Sequence, residues 1–238
     1  MAILSSQFPV GEPFKILGLQ FDTKLNMRGC VDSCVVEAGW RLKTLMRTHR
    51  FFTDVELLGL FKAHILSFIE YRTPGIYHAC SSILAPVDRV LSGFLARIDM
   101  SESEALIRHN LAPLSCRRDI AMLGVTHRAV LGMGPLQFHQ WFKLDSTDLR
   151  RSSRAARHDK QIEWNFGGKG LGQFKRPAFG LCKIYNLLPL DIVAQKSVKA
   201  FQSELQGLLK SAAELDTHHW RVLFPPRLDT ANHPFMNT

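Results

Sequence analysis

The sequence has no long hydrophobic run, no even set of cysteines and no excess of acid, and each absence removes a class of protein. Its most apolar later stretch, L-L-G-L-F-K-A-H-I-L-S-F-I, is interrupted by Lys62 and His64 and falls short of the roughly 20 apolar residues that a membrane-spanning helix needs. The opening residues M-A-I-L-S-S-Q-F-P-V-G lack the basic start and apolar core of a secretory signal. A soluble, intracellular chain, nuclear or cytoplasmic, is the expectation. Five cysteines, at positions 30, 34, 80, 116 and 182, do not make a disulfide framework. Cys30 and Cys34 would stand one helical turn apart, but no further Cys or His at ligand spacing completes a set of four, so no metal or cofactor is assigned.

What is present is an ordinary globular composition, 46% hydrophobic and 21% charged, which has enough apolar surface to fold. The net charge of +9 is unevenly spread: Arg150 to Arg176 holds eight basic side chains and two acids, whereas the rest of the chain holds 22 and 19. Such a concentration points to a polyanion, either nucleic acid or an anionic membrane surface.

The apolar spacing is mostly helical. Val31, Val35, Ala38, Leu42 and Leu45 make one stripe, and Val55, Leu58, Phe61, Ile65 and Phe68 make the next, opened by the capping pair Thr53 and Glu56 and expected to stop near Arg72, before Pro74. A third helix is expected from Pro86, burying Val87, Val90, Leu91, Phe94 and Ile98. Ser101 and Glu104 repeat the capping pattern, Pro113 breaks the chain, and a further helix should run from about Ser115 to the Gly132/Gly134 stop. Beyond Trp141 a basic linker with one short helix leads through the glycine-rich run F-G-G-K-G-L-G-Q-F. A last helix, from Val193 to Leu209, follows, using Val198, Phe201, Leu205 and Leu208. The expected fold is mainly α: an N-terminal strand or hairpin, a helical bundle, a basic linker and a small C-terminal helical element. The segments are 1–24, 25–142, 143–176 and 177–212, with a Pro-bearing tail, 213–238, expected to be disordered.

Catalytic signatures are weak. Glu102 and Glu104 sit where a helix start favours acids. His218 and His219 are adjacent and do not share a helix face. Gly167-Gly168-Lys169-Gly170 lacks the Ser or Thr that follows the lysine of a phosphate loop. Ser92-Gly93 has no nucleophile-elbow frame, and Cys116, ahead of Arg117-Arg118, reads as a packed thiol near a helix start. The basic segment differs in kind. Were D-L-R-R-S-S-R-A-A-R-H-D-K-Q helical, Arg150, Arg154, Arg157 and Gln161 would share one face, a strip fit for a phosphate backbone or simply for water. Trp164, Phe166 and Phe174 interleave with the charges and either stack on unpaired bases or pack on the bundle.

F-K-I-L-G-L-Q-F-D, then A-G-W-R-L-K-T-L, then L-F-K-A-H-I-L-S-F-I-E-Y-R-T-P-G-I-Y resemble the region after the catalytic core of non-LTR (LINE-type) retrotransposon reverse transcriptases. There the strand ends the palm and the next helices form the thumb. K-R-P-A-F-G-L-C-K-I-Y-N-L-L-P followed by S-V-K-A-F-Q-S-E-L is similar to the family's ending, with Tyr185 where Trp is commoner. The resemblance covers roughly Phe14 to Leu209.

That family polymerises with carboxylates, an aromatic-Ala-Asp-Asp turn among them, that hold two magnesium ions. This sequence has no Asp-Asp dipeptide, so the resemblance implies a C-terminal remnant without fingers and most of the palm, not an enzyme by itself. It would leave Phe14 to Asp22 as an edge strand without its sheet. The implied activity is phosphate contact with RNA, DNA or an RNA–DNA hybrid, assigned to Lys15, Arg150, Arg151, Arg154, Arg157, Lys160, Lys175 and Arg176, with the missing palm and fingers as a further partner and no small-molecule substrate. The competing readings are an inactive relic or helical protein-interaction module, and a membrane-surface role for the basic segment, which lacks the bulky apolar face such a helix needs.

Overall fold

The computed structural model describes residues 12–135, 142–144, 158, 160–163, 172–215 and 220–226. It is mainly helical, with a short antiparallel strand pair at the N-terminus. By contact the chain divides after Phe94, in the last turn of a helix, into two units, 1–94 and 95–238. The residues expected to form one bundle, 25–142, contribute to both.

In the first unit, F-K-I-L-G-L-Q-F-D is two strands rather than one. β1 (Phe14–Ile16) pairs antiparallel with β2 (Leu19–Phe21), placing Phe14 opposite Phe21 and Lys15 opposite Gln20. A two-residue hairpin turn that matches strand twist wants positive φ at both central residues, and Leu17 and Gly18 adopt 50° and 80°. The strand therefore has a partner inside the chain, which corrects the expectation that it lies unpaired. The hairpin and the connection after it are also held from the helical side: Tyr71 Oη donates to Leu17 O at 3.0 Å in the turn, and His78 Nε2 donates to Leu25 O at 2.8 Å between β2 and the next helix. A Cβ on Gly75 would lie 2.5 Å from Leu19 Cδ1, so the absence of a side chain there lets Leu19 bury itself against the helix.

α1 (Arg28–Arg47) starts from Met27, whose side chain makes no cap. Asp22 caps the entry to the helix instead, its Oδ1 accepting from the amides of Lys24 and Asn26 and its Oδ2 from Met27 at 2.6 Å. Burial opposes charge on Asp22, but the amides of Asn26, Met27, Lys24 and Asp22 itself hold its carboxyl below the usual range. The inner stripe of α1 buries Cys30, Val31, Cys34, Ala38 and Leu42. Burial pushes the Cys34 thiol up to about 11, so it packs as a neutral thiol in the core.

α2 (Asp54–Phe61) carries the expected box: Thr53 Oγ1 accepts from Glu56 N, and Glu56 Oε2 accepts from Thr53 N at 2.8 Å. A π-helical turn at Lys62–Leu66 joins it to α3 (Ser67–Ile76). Such turns disturb the carbonyl ladder, and Arg41 Nη1 of α1 donates to His64 O at 2.9 Å. The helix does not stop at Arg72 as expected but runs through Pro74. A helix-interior proline costs about 3 kcal/mol, whereas burying side chains such as those of Ile76 and Tyr77 returns about 1.5–3 kcal/mol each. The same competition decides α4 (Ser81–Leu95), which starts five residues before Pro86 and buries Leu84, Val87, Leu91 and Phe94. Phe94 stacks on Phe61 at 4.3 Å.

In the second unit, α5 (Glu102–His109) is capped by Ser101, whose Oγ accepts from Glu104 N. α6 (Leu114–Val130) ends at Gly132, φ 73°. β3 (Lys143–Leu144) and β4 (Ile162–Glu163) pair antiparallel. α7 (Gly172–Leu187) was not anticipated, since Pro177 and Gly180 argue against a helix there. The turn α8 (Leu190–Val193) and the Ser197-capped α9 (Val198–Glu214) follow. α9 packs on α5 and α6, and α6 on α7. Its buried stripe is Phe201, Leu205, Leu209 and Ala213, with Leu209 in place of Leu208. Part of the tail expected to be disordered is ordered: Trp220, Leu223 and Phe224 are buried, and Cys116 Sγ donates to Arg221 O. A Cβ on Gly180 would overlap the backbone carbonyl of Pro226, so the glycine that weakens α7 as a sequence pattern is what lets this segment lie against it.

Candidate nucleic-acid interface

Of the eight predicted phosphate contacts, Arg150, Arg151, Arg154 and Arg157 lie outside the described residues, as do Trp164, Phe166, His218 and His219. Lys175 and Arg176 belong to the opening turns of α7, where only the backbone is described, as for Phe174. Lys15 projects from β1, exposed. Lys160 is half-buried, and its Nζ donates to Val193 O at 3.2 Å, at the C-terminal end of α8, where the carbonyl dipole favours a cation.

What is described is the frame at the two ends of the basic segment. β3 and β4 bring Lys143 opposite Glu163 and Leu144 opposite Ile162, so the chain that leaves Leu144 returns beside it. β4 is in turn fixed to α7 through Asn186. Its Oδ1 accepts from Ile162 N at 2.8 Å and its Nδ2 donates to Ile162 O at 3.1 Å. A carboxamide carries the same acceptor and donor pair as a peptide group, and Asn186 acts here as one more rung of the ladder.

His158 and Tyr185 complete the anchor. Lys160 N donates to His158 Nδ1 at 3.2 Å, which leaves Nε2 to carry the proton and donate to Tyr185 O at 3.1 Å. The ring of His158 meets the Tyr185 ring edge-on. Tyr185 Oη donates to His127 Nδ1 at 2.8 Å, and His127 Nε2 donates to Gln195 O at 2.9 Å. Phe201 stacks on the imidazole at 4.1 Å. Burial lowers the pKa of His127; the bond to Gln195 opposes this and the charge of Lys160 adds to it. Every ring nitrogen of the two histidines is thus committed to holding 158–163, α7 and the α8–α9 connection together.

The spacing of neighbours gives no sign that Tyr185 and Asn186, in the last turn of α7, are anchors; their partners, His127, His158 and Ile162, are too distant in sequence to be read. The other candidates have structural roles. Glu102 accepts from Arg221 Nε at 2.8 Å and Glu104 from Arg108 Nη1 at 2.7 Å. Among the described residues no group of three His, Cys, Asp or Glu side chains is placed to hold a metal, and no helix is long and apolar enough to cross a membrane. Searches of protein-family models, of curated proteins and of solved structures find no match to this chain.

Proposed function

We propose that the chain is a non-catalytic nucleic-acid-binding module that resembles the C-terminal region of a non-LTR reverse transcriptase, and that its basic segment meets phosphates. The run Leu149–His158 contains four arginines and no acid. The observation that supports the reading is the frame on either side of that run: Leu144 ahead of it and His158 at its end are tied, through β3, β4 and Asn186, to the helices of the second unit. A cationic run held at both ends is a better phosphate site than a free one, because less freedom is lost on binding. The affinity is expected to be sequence-independent, since phosphate contacts carry no base information.

Fluorescence anisotropy with an RNA–DNA hybrid across a salt series tests this. Neutralising roughly four to six phosphates gives a slope of log K against log salt of about −4 to −5 on duplex. Changing Arg150, Arg154 and Arg157 together to Ala lowers it by about 3. A triple variant that binds like the parent, or a parent that does not bind at low salt, overturns the reading in favour of an interaction module or relic. Primer extension by the pure chain is expected to give no product, because two-metal polymerisation needs carboxylates held as a set.

A further inference from the structure

A second cationic surface lies in the first unit, away in sequence from the basic segment. Between Glu37 and Asp54 the chain has no acid; it carries Arg41, Lys43, Arg47, Arg50 and His49 and the aromatics Trp40, Phe51 and Phe52. These residues form the C-terminal turns of α1 and a 3-10 turn at His49–Phe51. Arg41 is used internally, paired with Glu37 and bonded to His64 O. The others face solvent, and among the described residues no ion pair engages Lys43, Arg47 or Arg50.

The aromatic rings are exposed too, Trp40 to 60% and Phe51 to 70%. Large rings are left in water at a cost, and here each stands next to a cation. Lys43 Nζ lies 5.4 Å from the centroid of the Trp40 ring, and Arg50 Cζ lies 4.9 Å from that of Phe51. The three cations without an ion pair, Lys43, Arg47 and Arg50, outweigh the partial negative charge of the helix C-terminus, about half a unit, so the surface attracts anions.

We infer that this surface binds single-stranded nucleic acid, with unpaired bases stacked on Trp40 and Phe51 and phosphates met by Lys43, Arg47 and Arg50. A ring with a cation over one face presents the two halves of a nucleotide site, a charge for the phosphate and the opposite π-face of an exposed ring for the base. Duplex is the poorer ligand, because its base faces are already stacked on one another. An anionic membrane is also the poorer partner, since charged residues alternate with the rings where a membrane-bound helix needs a continuous apolar face. The inference goes beyond the phosphate-binding reading above, in site and in ligand.

The test uses the full chain and labelled oligothymidylate and oligouridylate, with a hairpin duplex and vesicles of mixed phosphatidylcholine and phosphatidylserine as competitors. The double variant Trp40→Ala, Phe51→Ala is expected to lose about tenfold or more in affinity for single strands and less than about twofold for duplex. Trp40→Phe, Phe51→Tyr, which keeps both π-faces, restores most of it. Changing Lys43, Arg47 and Arg50 to Ala lowers the single-strand salt slope by about 2, since each phosphate counts about 0.7. All the changed side chains are exposed, and circular dichroism checks that the fold is kept. Parent-like single-strand binding by the double variant overturns the inference, as does an equal loss on duplex, or displacement by vesicles alone. The Arg150, Arg154, Arg157 variant separates the two sites: single-strand binding that survives it but is lost with Trp40 and Phe51 supports this inference even if the basic-segment reading fails.

Discussion

The phenol of Tyr185 donates to Nδ1 of His127 at 2.8 Å, and neither side chain is exposed to solvent. The pair links α6 to α7 across 58 residues of sequence. With Nε2 bound to the Gln195 carbonyl, the imidazole has one donor and one acceptor, both used, which is the neutral form.

Acid is therefore expected to destabilise the chain. His127, with burial as the main cause, has its pKa lowered in the folded state, and so has His78, again chiefly by burial. Above the ordinary histidine value of about 6.5 both states are neutral. As pH falls below it, the unfolded chain takes up protons that the folded chain resists, so stability falls until the folded pKa values are passed. Urea denaturation from pH 8 to about pH 5 should show a falling midpoint, and a flat or rising midpoint would contradict it. Tyr185→Phe leaves Nδ1 buried without its donor and should cost about 1–3 kcal/mol, with little change in m value.

Asn186 predicts a local effect. Asn186→Ala removes both bonds to Ile162 and should expose the amides of Ile162 and Glu163 to hydrogen exchange while α9 remains protected. The same variant should weaken duplex binding through the basic segment, because the frame that restrains it is loosened. Unchanged exchange at Ile162 would show that β3 alone holds the strand.

Removing residues 1–22 is expected to destabilise the first unit. The deletion takes away Leu19 from Gly75, the Leu17 carbonyl from Tyr71 and the Asp22 cap from α1. Leu19→Ala alone should cost about 2–5 kcal/mol. A truncated chain that unfolds cooperatively at the parent midpoint would show that the hairpin is dispensable.

Several features follow from local chemistry and were legible in the amino-acid order. Val31, Ala38 and Leu42 of the inner stripe of α1, the Thr53–Glu56 box, the Ser101 cap and the Gly132 stop each depend on residues within one or two helical turns of each other, so spacing alone carries them, although Cys30 and Cys34 are buried where Val35 and Leu45 were expected. The concentration of positive charge after Arg150 is likewise a property of the sequence. Prolines misled because their cost is local while the burial that offsets it is not: Pro74 and Pro86 sit inside helices whose hydrophobic faces are packed by distant residues. Strand and hairpin both stayed open at the N-terminus because leucine rarely accepts positive φ, and the contacts of Tyr71 and Gly75 hold Leu17 and Leu19 in the hairpin.

A basic, mainly helical chain that opens on a strand or hairpin is legible from the amino-acid order alone, because helix periodicity, caps and charge are written in neighbouring residues. Long-range packing is what makes Tyr185 and Asn186 anchors, bonds Lys160 to Val193, lays Trp220 to Pro226 along Gly180, and leaves Trp40 and Phe51 in water. The physical reason is that a hydrogen-bond partner or a covering side chain comes from wherever the chain brings one close, and nothing in the spacing of neighbours records which distant residue that will be.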